Sequence, residues 1–262
     1  MSASPIVPMS GLLGWRYLQK TYNQQLERHE GSPLISREIR YFRENISSVS
    51  SAQDLVADRT LLKVALGAFG LQQDLNSRAF VRTILESRQD DPKALANRIA
   101  DDRYKDFTKA FGFSSASGPR TSNKVFTENI VQKYASQSFE IAIGDHSPDM
   151  RLALAAQREI SALSTEDVSE NTKWFKLLGR PPLRRFLETS LGLPSDFGKI
   201  DLDQQLATVK SKSLQHFGVK NFENFLDTNV MEKTIRRFHL LSQINANEQM
   251  TSASIALQLL QN

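Results

Sequence analysis

The nearest approach to a metal-ligand cluster is Asp145-His146 with Asp149, two carboxylates and an imidazole in five consecutive positions. A metal ion needs three or four such donors converging on one point. Ser147-Pro148-Asp149, however, has the form of a helix start: Ser caps, Pro takes the first helical position and Asp suits the dipole. Arg98, Asp101, Asp102 and Arg103 form a dense charge group. Arg98 reaches Asp101 and Asp102 at i+3 and i+4, the spacing of ordinary helix ion pairs. A carboxylate pair can do general acid–base work, but no nucleophile or oxyanion donor stands beside this one. Asp58-Arg59 opens a strongly apolar helix, where an acid in the first turn suits the dipole. Gly67-Ala68-Phe69-Gly70 lacks the Lys, the Ser or Thr and the preceding strand of a phosphate loop. No Gly-x-Ser-x-Gly elbow, kinase signature or zinc spacing occurs, and His29, His216 and His239 are scattered. The residues therefore name no catalytic, cofactor-binding or metal-binding position, and the expectation is a protein that is not an enzyme.

Composition narrows the classes further. The 262 residues contain no Cys, which excludes disulfides, thiolate metal sites and a Cys nucleophile. The net charge of +4 is small and evenly spread, with 16 basic against 13 acidic residues in 1–113 and 17 against 16 afterwards. The basic groups Arg180 with Arg184-Arg185, and Lys233 with Arg236-Arg237, each fit one solvated helix face, so nucleic acid is not the expected partner. No run of about 18 apolar residues is present to span a membrane. The opening stretch has Pro5 and Pro8 inside its apolar part and its first basic residue, Arg16, after it, which is not a Sec signal. The expected location is the cytoplasm, unless a non-cleaved export route carries the chain.

Nearly every segment reads as helix. Leu12, Trp15, Leu18, Tyr22 and Leu26 form one stripe at 3.6 spacing, and Ile35, Ile39, Phe42 and Ile46 form another. Ser51-Ala52-Gln53-Asp54 has capping-box spacing, Asp91-Pro92 reads as a helix start, and the helix or helix pair after it runs to about Phe111. Later helices are expected at about 126–144, from Ser147, at 172–178, 181–191, 203–217 and 229–246, and from about Gln249. No strand alternation or hairpin signal interrupts them. The fold class is all-α, a multi-helix bundle-like assembly.

Four helices stop alike, at Phe69-Gly70-Leu71, Phe111-Gly112-Phe113, Leu191-Gly192-Leu193 and Phe217-Gly218-Val219. Gly at such a position takes the left-handed conformation at no steric cost, and the apolar residue after it folds back on the last turn. Leu61, Val64, Ala65, Phe69 and Leu71 match Leu183, Phe186, Leu187, Leu191 and Leu193 at a constant offset of 122. Residues 1–30 read as an N-terminal helical arm and 31–262 as an all-α domain. Within that domain, 35–113 and 123–226 form a pseudo-repeat around the linker 114–122. A duplicated helical unit explains the matches, and so does the grammar that all helical chains share. The oligomeric state is not legible.

Trp15, Tyr17 and Tyr22 on the first helix are the candidate partner contacts, because exposed aromatics mark contact sites. Terminal amphipathic helices either pack on their own domain or dock on other proteins.

Several stretches carry a family resemblance. Ser4-Pro5-Ile6-Val7-Pro8 with Gly11 and Gly14-Trp15-Arg16, Asp58-Arg59 with Leu61-Leu62, and Ala94-Leu95-Ala96-Asn97-Arg98 are among them. So are Pro148-Asp149-Met150-Arg151 and Pro182-Leu183-Arg184 through Gly192-Leu193-Pro194. By these residues the chain resembles domain-of-unknown-function family 1217 of alphaproteobacteria, over most of 4–226. Members of that family often lie among flagellar genes. The resemblance thus implies a flagellum-associated protein whose partners include flagellar components, and it brings no catalytic or binding residues with it. The function expected is a non-enzymatic helical protein acting through protein–protein interaction. The alternative is a soluble helical enzyme or nucleic-acid binder with no recognisable motif.

Overall fold

The computed structural model describes residues 4–99 and 101–260, with side chains as far as 247. Thirteen α-helices and four short 3-10 turns occur among the described residues, and no strand. The helices are α1 (Gly11–Glu30), α2 (Pro33–Asn45), α3 (Ala52–Ala57), α4 (Arg59–Ala68), α5 (Arg78–Leu85), α6 (Leu95–Arg98) and α7 (Arg103–Phe111). They continue with α8 (Lys124–Gly144), α9 (Pro148–Ser164), α10 (Glu170–Leu178), α11 (Pro181–Leu191), α12 (Leu202–Phe217) and α13 (Thr228–Leu260). The class is all-α, as the patterning requires.

The chain forms two compact units. The first holds residues up to Ile6 and Thr21–Ala142, and the second holds Val7–Lys20 and Ile143–Asn262. Helix α1 gives its first half to the second unit and its last half to the first, and α8 runs across the division at 142/143. The turn-rich stretch 114–122 lies inside the first unit. Its buried Thr121 hydroxyl donates to the Val49 carbonyl at 2.6 Å, and the Ser114 hydroxyl donates to the Ser87 carbonyl at 2.7 Å.

Local signals account for most helix ends. The Ser51–Asp54 capping box is formed in both directions. Asp58 Oδ1 accepts from the Thr60 and Leu61 amides and starts α4, and the Ser147 hydroxyl accepts from the Met150 amide at the start of α9. Gly70, Gly112, Gly192 and Gly218 are all left-handed, with φ between 64° and 79°. After Gly70 and Gly192 the next amide bonds back five residues, Leu71 to Leu66 and Leu193 to Glu188, each at 2.9 Å. Gly112 and Gly218 make the simpler bond, to Thr108 and Leu214, each at 3.0 Å. The first and third stops are thus one motif, while the fourth adds to the simpler bond one from the Val219 amide to the Ser213 carbonyl at 3.3 Å.

Three expectations about the elements need correction. Asp91-Pro92 does not start a helix: the Asp91 carboxylate accepts from the Lys93 amide in a turn, and α6 begins at Leu95. The Asn97 amide holds this turn by donating to the carbonyls of Arg88 and Asp91, at 2.9 and 2.8 Å. Arg98 ends α6, so it has no helical i+3 or i+4 reach to the carboxylates that follow. Asp101 pairs with Arg103 and Asp102 with Lys105. The two expected closing helices are one, α13, because neither Gly nor Pro lies between Thr228 and Leu260 to break it. The stripe Met250, Ala253, Ile255, Leu257 and Leu260 lies outside the residues whose side chains are described.

In the first unit the inward faces of α2, α3, α4, α5, α7 and α8 share one core. Phe111 is its centre, with ring centroids 5.1 Å from Phe107, 5.7 Å from Phe113 and 5.0 Å from Phe126. In the second unit α9, α11 and α13 pack together, and Phe186 meets Phe238 at 4.9 Å. Trp174 closes the other part of that core against Phe222 and Phe225.

Candidate functional site

The three aromatic candidates lie on one helix but not on one face. Trp15 and Tyr22 are seven residues apart, so they point the same way, whereas Tyr17 is rotated about 200° from Trp15. Trp15 is 5% exposed and packs in the second unit, its ring 5.4 Å from His239. Tyr22 is half-buried and meets Phe139 edge-on at 5.5 Å in the first unit. Tyr17 is 37% exposed, so the reasoning from exposed aromatics applies to it alone. What spacing does not single out is Leu13, one turn before Tyr17 and 65% exposed. Met9, just before the helix, is half-exposed as well. The outer face of α1 thus carries Leu13 and Tyr17 among exposed polar residues such as Arg16 and Lys20, while its inner face is core.

The same inner face holds the N-terminal segment in place. Leu18 is fully buried in the second unit. Gly14 lets the chain double back on itself: a Cβ there would stand 1.8 Å from the Met9 carbonyl oxygen. In the first unit Gln25 clamps the segment before the helix, accepting from the Ile6 amide at 2.8 Å and donating to the Ile6 carbonyl at 3.2 Å.

The groups with chemical potential are mostly engaged. The Asp145, His146 and Asp149 positions do not converge: Asp149 accepts a hydrogen bond from the Ser242 hydroxyl. Among the described residues no three His, Cys, Asp or Glu side chains are grouped as a metal ion would require. Ser242, Asp149 and His239 bring the residue types of a hydrolytic triad into one region, but in the wrong order. The serine bonds straight to the carboxylate, and neither nitrogen of the buried His239 has a partner. A triad needs the imidazole between the other two.

Two further polar centres are buried, and motif reading finds neither. In the first unit Glu38 of α2 accepts from Lys63 of α4 and from the Tyr134 hydroxyl of α8. Burial and this carboxylate push the Tyr134 hydroxyl far above its ordinary pKa. In the second unit the buried Lys173 donates to the Ser164 carbonyl at 2.8 Å and to Glu223 at 3.2 Å. Beside it Glu170 Oε1 accepts from the Trp174 indole at 2.8 Å and from the Phe222 amide at 2.7 Å. Each centre ties together elements far apart in sequence.

A cavity of about 240 Å³ opens in the first unit, lined by Ser87, Asn97, Lys105, Thr108 and Lys109 among others. Its polar walls are committed elsewhere. Ser87 donates to the Thr83 carbonyl, Thr108 to that of Ile84, Asn97 to the turn carbonyls, and Lys105 pairs with Asp102. Asp106 and Lys109 line it as well.

The architecture defines a class, an all-helical protein of two compact units. Within that class the chain belongs to the family described as protein of unknown function, DUF1217, whose model matches residues 68–231. An X-ray crystal structure of an Agrobacterium tumefaciens protein, from a structural-genomics programme, shares the fold with a TM-score of 0.74 at 25% sequence identity. The match covers 92% of this chain and 99% of that one. No curated protein matches the chain. Among the described residues no helix is long and apolar enough to cross a membrane.

Proposed function

We propose that the chain is a non-enzymatic helical protein that acts by binding other proteins, and that it serves flagellar assembly, structure or regulation. The observation that carries the binding role is the outer face of α1. Leu13 and Tyr17 stand one turn apart on the helix side opposite the buried Trp15, with Met9 beside the helix start. Single exposed apolar residues are ordinary, whereas two large apolar side chains one turn apart on a helix suit a helix-in-groove partner. The flagellar part of the reading rests on the family resemblance carried by the residues quoted above.

The test is capture of partners from the native cell by the full chain and by a Leu13→Glu/Tyr17→Glu variant. Deleting residues 1–30 would remove Trp15, Leu18, Gln25 and His29 from the two cores, so a surface variant is the cleaner probe. The wild-type chain is expected to recover an identified flagellar component that the variant loses, at unchanged melting temperature. Recovery of no flagellar component by the wild type, or equal recovery by both, overturns the proposal.

A further inference from the structure

His239 lies on α13 with 1% of its surface exposed. Its ring is 5.4 Å from Trp15 of α1 and 5.2 Å from Phe238, and both ring nitrogens lack a hydrogen-bond partner. The helices packed around this level present little charge. α1 presents Trp15, and α11 presents Phe186 to the neighbouring Phe238. On α9, Asp149 is the charged group that acts on the ring, and its carboxylate already accepts from Ser242, one turn along α13. Gly11 at the start of α1 lies directly against the Gln243 side chain. The Gly11–Gln243 and Trp15–His239 contacts together run α1 and α13 antiparallel, with His239 at the seam.

A neutral imidazole fits among these rings as a flat apolar body. An imidazolium does not: it carries two N–H donors where no acceptor stands, and a buried unpaired charge is strongly disfavoured. The faces of Trp15 and Phe238 attract a cation, and Asp149 does so too. We propose that His239 is an acid-sensitive latch, and that a proton on its ring loosens the first half of α1, residues 11–20, from α13 in the second unit. The event is local by construction, since the seam is where the imidazole meets α1.

The sign follows from the burial. Desolvation, partly offset by Asp149, holds the ring pKa down at about 4 against an ordinary 6.5. The closed state therefore binds the proton less tightly than an opened state in which the ring meets water. Closure is at full strength above about pH 6.5 and weakens as pH falls below it. Between pH 7 and pH 5 the opening equilibrium shifts by roughly 20-fold, and by up to roughly 300-fold below pH 4.

The experiment is amide hydrogen exchange of the full chain at pH 7 and pH 5, corrected for intrinsic rates. Peptides covering 11–20 are compared with a reference peptide over α4. In the wild type, protection of 11–20 is expected to fall by roughly 20-fold while the reference holds. In His239→Phe the pH-dependent fall should vanish. Equal losses in wild type and variant, no loss in the wild type, or equal loss in the reference peptide overturns the latch. If His239→Phe does not fold, the wild-type His239 Cε1 proton resonance decides, since a midpoint near 6.5 leaves the latch nothing to act through.

Discussion

Removing the carboxylate at Glu38 should destabilise the first unit by about 2–4 kcal/mol, and removing the Tyr134 hydroxyl as well should add little to that loss. In Glu38→Ala the buried Tyr134 hydroxyl loses its acceptor, which costs about 1–3 kcal/mol for an unsatisfied buried donor. The same change frees Lys63, but its side chain is 38% exposed, so water takes over and that part is worth under about 1 kcal/mol. Tyr134→Phe removes a hydrogen bond to a charged acceptor, about 1.5–3 kcal/mol, and leaves Glu38 paired with Lys63. In the double variant no orphan donor remains, so the single costs should exceed the double cost by about 2 kcal/mol. Denaturant unfolding supplies the assay. Trp15 and Trp174 both belong to the second unit, so tryptophan emission follows that unit while far-ultraviolet circular dichroism follows both. The shift is expected in the dichroism. A coupling within about 0.5 kcal/mol of zero would show that the three residues sit side by side without acting as a unit, and would refute the reasoning.

Other outcomes follow from single contacts. Gly14→Ala should lower the emission-monitored midpoint by more than about 1 kcal/mol, because the Cβ meets the Met9 carbonyl, although Ala is otherwise the better helix former. An unchanged midpoint would count against the folded-back segment. Glu170→Ala strands the Trp174 indole and the Phe222 amide, so the Trp174 emission should shift red and the melting temperature should drop. At high pH the sign runs opposite to that of His239. Burial, with help from Asp74, lifts the Tyr104 hydroxyl to about 12, and burial also raises Tyr134. Their contribution is complete below the ordinary value near 10 and falls as pH rises above it, for Tyr104 up to about 12. Thermal melts at pH 8 and pH 10.5 should therefore differ less in Tyr104→Phe/Tyr134→Phe than in the wild type.

The parts of the fold that were legible in the sequence are those decided within one helical turn. The Ser51, Asp58 and Ser147 caps and the four glycine stops each depend on a handful of neighbouring residues, and all of them form as read. Asp91-Pro92 failed because the same two residues also suit a turn, and Asn97, six positions on, supplied the hydrogen bonds that favoured the turn. For the candidate contacts the structure adds exposure, which spacing does not give. That Trp15 and Tyr17 face opposite sides is implied by their spacing, yet which side meets solvent depends on where α13 lies.

That distinction holds for the whole molecule. The amino-acid order by itself determined an all-helical chain without thiols, the positions of most helix ends and the amphipathic stripe of α1, because periodicity, capping and glycine conformation are local. Only the tertiary structure decided the division at 142/143, the burial of Trp15 with His239, the exposure of Leu13 and Tyr17, and the union of Glu38, Lys63 and Tyr134. Those depend on residues about a hundred or more positions apart meeting in one place. Local spacing holds no record of such meetings, because the surface that each helix covers belongs to another part of the chain.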